Sequence, residues 1–139
     1  SVLSKTTYTK GKSLGIFTTS GYCACSSCSG TNTLTYSGTV PQADHTISAD
    51  LTVLPLGTKV FIGDIVYTVE DMGSGVDGNL IDIFYATHED AWNHGLQEQE
   101  VFLAENIDKP PAKEKDYQPK YRLITFSFLM KRYSGKIHP

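Results

Sequence analysis

A small, mainly β domain of the barrel or sandwich type, with one short helix, is the architecture this sequence predicts. Short runs rich in β-branched and aromatic residues recur along the chain. Turn residues interrupt them roughly every eight to twelve positions. Only one segment, from Thr87 to Gly95, carries helix start and stop signals. At 139 residues the chain fits one compact domain with a short appendage, and 40% hydrophobic residues are enough to give it a core.

The polar residues Ser1 to Lys12 read as a loose arm. Leu14-Gly15-Ile16-Phe17-Thr18-Thr19 reads as the first strand, and Gly21 to Asn32, dense in Cys, Ser and Gly, as a loop. Leu34 to Gly38 reads as a short extended piece, and Thr46 to Ala49 as another strand. Leu54 to Thr58 turns the chain into Lys59-Val60-Phe61-Ile62. Gly63-Asp64 then separates that run from Ile65 to Val69, a two-residue break that predicts a hairpin. The Gly-rich stretch Met72 to Gly78 predicts a tight or flexible loop.

Asn79 to Tyr85 is the next strand. In the helix, Thr87 is the expected N-cap, Asp90 the capping-box acid and Gly95 the stop, with Ala91 and Trp92 on the buried side. Glu100 to Ala104 closes the domain. These elements set a domain over residues 1–105. Residues 106–139 read as a Pro-rich charged linker plus a β-like extension, Tyr121 to Met130. That apolar extension must bury itself as an added strand or against a second copy of the chain, giving a homodimer.

A net charge of −3 and the lack of a basic stripe argue against nucleic acid as a partner. No apolar stretch is long enough to insert in a bilayer, and no signal peptide is recognisable at Ser1. Cys23, Cys25 and Cys28 cluster in one loop, and an odd number cannot pair fully within a monomer. Three readings stand side by side. They are a Cys23–Cys28 disulfide, a thiolate metal site completed by a His or Asp from elsewhere, and plain thiols in a tight loop. His45, His88, His94 and His138 lack metal-ligand spacing and read as surface histidines, so no metal ligand is assigned.

Three aspartates lie at or within strands: Asp50 after Ile47-Ser48-Ala49, Asp71 before Met72-Gly73, and Asp82 inside Leu80-Ile81-Asp82-Ile83-Phe84. Carboxylates in such places are costly to desolvate unless paired or protonated, so three of them in one domain suggest a shared acidic site. Alternation puts Asp82 on one face with Leu80 and Phe84, where apolar neighbours raise an acid's pKa. Glu70 should point away from Asp71 and be solvated or paired. Thr35, Ser37 and the backbone at Gly73 are candidates to touch a ligand. Tyr22, Tyr36, Tyr67 and Tyr85 could stack on rings or serve the core.

From Gly21 to Ala104 the chain resembles the 3D domain, named for three aspartates and found in secreted cell-wall proteins of Gram-positive bacteria. It is also the catalytic core of the membrane-bound lytic transglycosylase A family. The matching pieces run from Tyr22-Cys23-Ala24-Cys25 and Tyr36-Ser37-Gly38 through Ile47-Ser48-Ala49-Asp50 and Leu54-Pro55-Leu56-Gly57-Thr58. They continue with Glu70-Asp71-Met72-Gly73, Gly78 to Ile83 and the Ala91 to Gly95 helix end. Met72 departs from the small polar residue more usual there.

The resemblance implies a six-stranded, pseudo-twofold double-psi β-barrel and non-hydrolytic cleavage of peptidoglycan between N-acetylmuramic acid and N-acetylglucosamine, leaving a 1,6-anhydro end. It implies Asp82 and Asp71 as catalytic residues, Asp82 as acid then base and Asp71 ionised beside the anomeric carbon. Asp50, Thr35, Ser37 and Gly73 would hold substrate, Asp50 chiefly through the hydrogen-bond network of the groove. No cofactor is needed for this chemistry, and the polymer lies outside the cytoplasmic membrane. A non-catalytic, expansin-like wall-binding module is the alternative. An aspartic protease would need a second Asp-x-Gly loop and a different residue at Met72.

Overall fold

The computed structural model describes residues 6–109. The extension from Tyr121 to Met130, and with it the dimer expectation, lies outside the described residues. Six strands and two short helices are laid out in the order β1 (Tyr8–Tyr22), α1 (Ser26–Ser29), β2 (Thr46–Ala49), β3 (Lys59–Ile62), β4 (Ile65–Asp71), β5 (Leu80–Phe84), α2 (His88–His94) and β6 (Gln97–Asn106). The strands close into a barrel in the order β1-β5-β2-β4-β3-β6. Closure leaves no open sheet edge.

Two neighbouring pairs, β1 with β5 and β2 with β4, are parallel, and the rest are antiparallel. Exchanging β1–β3 with β4–β6 reproduces both the neighbour order and the strand directions. The pseudo-twofold implied by the resemblance is therefore present in the topology.

Alternation along the strands fills the interior. Phe17, Ile47, Ala49, Val60, Ile62, Tyr67, Val69, Ile81, Ile83 and Val101 form one buried cluster with Leu54. The β3–β4 hairpin turns at Gly63-Asp64, where Ile62 pairs Ile65. Gly63 takes φ 61° at the first central position, as a type II′ turn requires.

Four expectations change. Tyr8 to Lys12 is not a loose arm: it is the start of a 15-residue β1 that pairs β6. Leu34 to Gly38 is a turn, closed by the Gly38 N–H donating to the Thr35 carbonyl. A second helical turn, α1, sits in the cysteine loop. Trp92 is 79% exposed rather than buried.

The reason for that last change lies at Gly21. A Cβ built there would stand 2.7 Å from the carbonyl oxygen of Ala91, so helix and strand backbones touch. Only a small residue, Ala91, fits the contact, and His94 one turn on completes the same face. Trp92, next to Ala91, is rotated away. The helix itself is capped as expected, with the Asp90 N–H donating to Thr87 Oγ1 at 3.1 Å and Gly95 at φ 62°. Gly21→Val should cost about 1–3 kcal/mol of stability, as overpacking does. Denaturant unfolding of the variant checks this.

Candidate active site

Neighbouring strands carry one row of polar side chains across the outside of the barrel. Ser20 of β1 is opposite Asp82 of β5, Asp82 is opposite Ser48 of β2, and Ser48 is opposite Asp71 of β4. The last pairing depends on a β-bulge. Ile47 pairs Val69, but the next residue, Ser48, pairs Asp71, which leaves Glu70 as the extra residue. Strict alternation would have put Asp71 with Val69, towards the core. The bulge turns Asp71 onto the face of Ser48 and Asp82 instead. The expectation of alternate faces for Glu70 and Asp71 therefore fails. Glu70 is paired, accepting from Thr46 Oγ1 at 2.7 Å and facing His45 Nε2 at 3.3 Å.

Asp71, Asp82, Tyr22 and Ser48 line one cleft of about 430 Å³, together with Gly73 and the loop from Asn32 to Thr35. Asp71 accepts three hydrogen bonds: from the Tyr22 hydroxyl at 3.2 Å, and from the N–H groups of Tyr36 and Met72, each at 2.9 Å. The Tyr22 ring meets Phe84 edge-on, with centroids 5.4 Å apart. Burial, then the charge of Asp71, drives the Tyr22 phenol well above its ordinary range, so it stays a donor. Asp82 accepts from Ser20 Oγ at 3.1 Å. Burial lifts its carboxyl to about 6; the Ser20 hydrogen bond opposes this and the charge of Asp71 adds to it. An acid so placed is about half protonated near pH 6 and keeps its proton in weakly acid solution, where an ordinary aspartate has lost it.

Ser48 is the residue that sequence reasoning missed. Its Oγ is buried and has no hydrogen-bond partner, midway between the two carboxyl-bearing strands. Gly73 keeps that place open, since its missing Cβ would lie 3.6 Å from Ser48 Oγ and 3.1 Å from Val76. The usable signal was the alternation in Thr46 to Ala49, which sets the small polar Thr46 and Ser48 on the face opposite Ile47 and Ala49; that both are buried is a property of the fold. Because the hydroxyl makes no bond, Ser48→Ala should leave stability within about 0.5 kcal/mol of the parent. If the hydroxyl meets a ligand, the same change lowers turnover of that ligand about tenfold. Thermal melts and initial rates on one preparation separate the two.

The other expected site residues divide. Asp50 does not line the cleft. Its Oδ1 accepts from the N–H and hydroxyl of Thr52, and its Oδ2 from the Gly78 N–H at 2.8 Å. Those bonds, the Thr52 hydroxyl first, hold its carboxyl below the usual range. It ties the Gly-rich loop to the turn after β2. Thr35 lines the cleft but its hydroxyl is engaged with Ser37, Thr39 Oγ1 and the Thr39 N–H. Ser37 is outside the cleft lining, and its N–H donates to the Glu70 carbonyl.

Among the tyrosines, Tyr22 is in the cleft, Tyr67 in the core, Tyr36 exposed, and the Tyr85 hydroxyl 2.7 Å from His94 Nδ1. His94 is half-buried rather than freely exposed. Its Nε2 meets Thr19 Oγ1 at 2.9 Å, which fastens α2 to β1. His88 departs from expectation more sharply, with its Nδ1 among the three cysteine sulfurs. His138 lies outside the described residues.

Residues 45–104, which hold the bulge, both cleft aspartates and α2, match the 3D domain family. The chain carries a 3D domain. Over 96 residues it is 34% identical to the Bacillus subtilis (strain 168) protein named "Putative cell wall shaping protein YabE". That match spans 68% of this chain and 23% of the relative.

Among solved structures, the 3D-domain barrel is similar to MltA from Escherichia coli, with TM-score 0.46 and 14% identity over 52% of this chain and 27% of that one. It is also similar to the lytic transglycosylase LtgG of Burkholderia pseudomallei, with TM-score 0.45 and 20% identity over 53% and 27%. Among the described residues of the 3D-domain chain, no helix is long and apolar enough to cross a membrane.

Proposed function

We propose that this chain is a peptidoglycan lytic transglycosylase acting at the cell wall, outside the cytoplasmic membrane. It cleaves the β-1,4 bond between N-acetylmuramic acid and N-acetylglucosamine. The observation that carries the reading is Asp82, a carboxyl lifted to about 6 inside a cleft that it shares with a second carboxylate. The 3D domain and the name of the Bacillus subtilis relative support a cell-wall substrate.

Asp82 donates its proton to the glycosidic oxygen as the C1–O bond breaks, releasing the N-acetylglucosamine 4-hydroxyl. Positive charge develops at C1 and the ring oxygen, and the Asp71 carboxylate is the nearby counter-charge. Its orientation is fixed by Tyr22 and by the two backbone N–H groups. Asp82, now a carboxylate, takes the proton of the muramyl 6-hydroxyl as O6 bonds to C1. The acid is regenerated, water is not consumed, and the product ends in 1,6-anhydro-N-acetylmuramic acid. Ser48 Oγ lies buried and unpartnered between the strands that carry the two acids.

Digestion of purified peptidoglycan followed by mass spectrometry of the soluble products tests this. Anhydro-muramyl ends are expected. Reducing muramyl ends would make the protein a hydrolase. Wall binding with no soluble product would make it an expansin-like binding module.

A further inference from the structure

The cysteine loop is held where its own packing cannot hold it. Helix α1 has four residues, no side-chain cap and no buried residue. A helix that short is not stable on its own hydrogen bonds. Yet the loop forms one wall of the cleft, through Ala24, Cys28 and Ser29 and on to Thr35. Something besides apolar packing must fasten it.

The fastening point is where four ligand atoms converge. The sulfurs of Cys23, Cys25 and Cys28 and one ring nitrogen of His88 all lie within 4.8 Å of one another. His88 is the first residue of α2, far along the chain from the thiols. Its Nδ1 stands 3.8, 3.4 and 3.5 Å from the sulfurs of Cys23, Cys25 and Cys28. One imidazole nitrogen is either a single donor or a single acceptor, so hydrogen bonding does not account for three sulfurs around it. A tetrahedral ion does. With Zn–S about 2.3 Å and Zn–N about 2.0 Å, a zinc tetrahedron has N···S edges of about 3.5 Å and S···S edges of about 3.8 Å.

The Cys23–Cys25 pair, at 3.0 Å, is closer than that edge but well beyond a disulfide bond of about 2.05 Å, and all three cysteines are free. The Cys25 N–H points at Cys23 Sγ at 3.5 Å, the kind of backbone donor that supports a bound thiolate.

We propose that Cys23, Cys25, Cys28 and His88 form a structural zinc site that fixes the wall of the cleft to α2. Three soft thiolates and one imidazole select zinc over hard cations, and four protein ligands leave no open position for catalysis. His88 is exposed, as the sequence reading has it, and the proposal adds a ligand role to it. Of the three sequence readings of the thiols, it takes the metal one.

The test uses the full chain, purified under reducing conditions without chelator. Elemental analysis should find one zinc per chain. Cobalt loading should give the intense visible bands of a tetrahedral thiolate site. Cys25→Ser and His88→Ala should each weaken zinc binding by more than the roughly 10–100-fold that loss of an outer-shell partner costs, while His88→Cys keeps it. Removing zinc with a competing chelator should speed amide exchange across residues 24–35 and leave the barrel strands protected, a readout that needs no variant.

The proposal is overturned by any of three results. These are no zinc uptake by the reduced wild-type chain on titration, unchanged zinc binding by the His88→Ala chain, and a zinc-free native chain with a mass two hydrogens short, as a disulfide requires.

Discussion

Asp82→Asn is expected to lower glycan cleavage by about 10²–10⁴-fold, the usual worth of a positioned acid–base group. The amide can neither give the proton to the leaving oxygen nor take one from the 6-hydroxyl. The fold should survive and gain stability at neutral pH. The sign follows from burial. In the folded chain the Asp82 carboxyl binds its proton up to about 6, against an ordinary aspartate value of 3.8. The folded state is thus favoured by this group below about pH 4, and that benefit is lost as pH rises through about 6. Above that range the half-buried carboxylate opposes folding, by about 1 kcal/mol once solvent screening is allowed for. Asparagine carries no charge, so the variant should melt higher than the parent at pH 8 and no higher at pH 3.5. An inactive variant that is also less stable at pH 8 would mean that the residue serves the fold.

Asp71→Asn should cost about 10–100-fold in activity, because it removes a preorganised negative charge where positive charge develops. It carries a second, signed consequence. The charge of Asp71 is one of the causes that raise Asp82, so its removal should move the alkaline limb of the kcat/KM profile to lower pH. A residue that only braced the loop would lower the rate without moving that limb. Asp71→Ala should be worse for stability, by about 1–3 kcal/mol, since Tyr22 and the N–H groups of Tyr36 and Met72 would lose their acceptor.

The strands were legible in the chain because their residues alternate. Ile81 and Ile83 point into the barrel while Asp82 points out, as period two requires. The hairpin at Gly63-Asp64 and the caps at Thr87 and Gly95 follow from single residues with one strong backbone preference. Four features are set by distant parts of the chain instead. The bulge at Glu70 is an agreement between β4 and β2, and no local pattern in Ile65–Asp71 announces it. Trp92 looks like core until Gly21 brings the helix backbone against β1. Asp50 resembles its two fellow aspartates in local sequence, and only the fold of the Gly-rich loop brings Gly78 to its carboxylate. The place of His88 among the cysteine sulfurs was invisible for the same reason: those cysteines lie some sixty residues earlier.

A saccharide reaching this cleft is expected to meet a carboxyl still carrying its proton. Carbon-detected NMR titration of the Asp82 side chain in the full-length protein measures that proton directly. A midpoint near 6, moving lower in Asp71→Asn, is the predicted result. A midpoint near 4, the ordinary range for an aspartate, would contradict it.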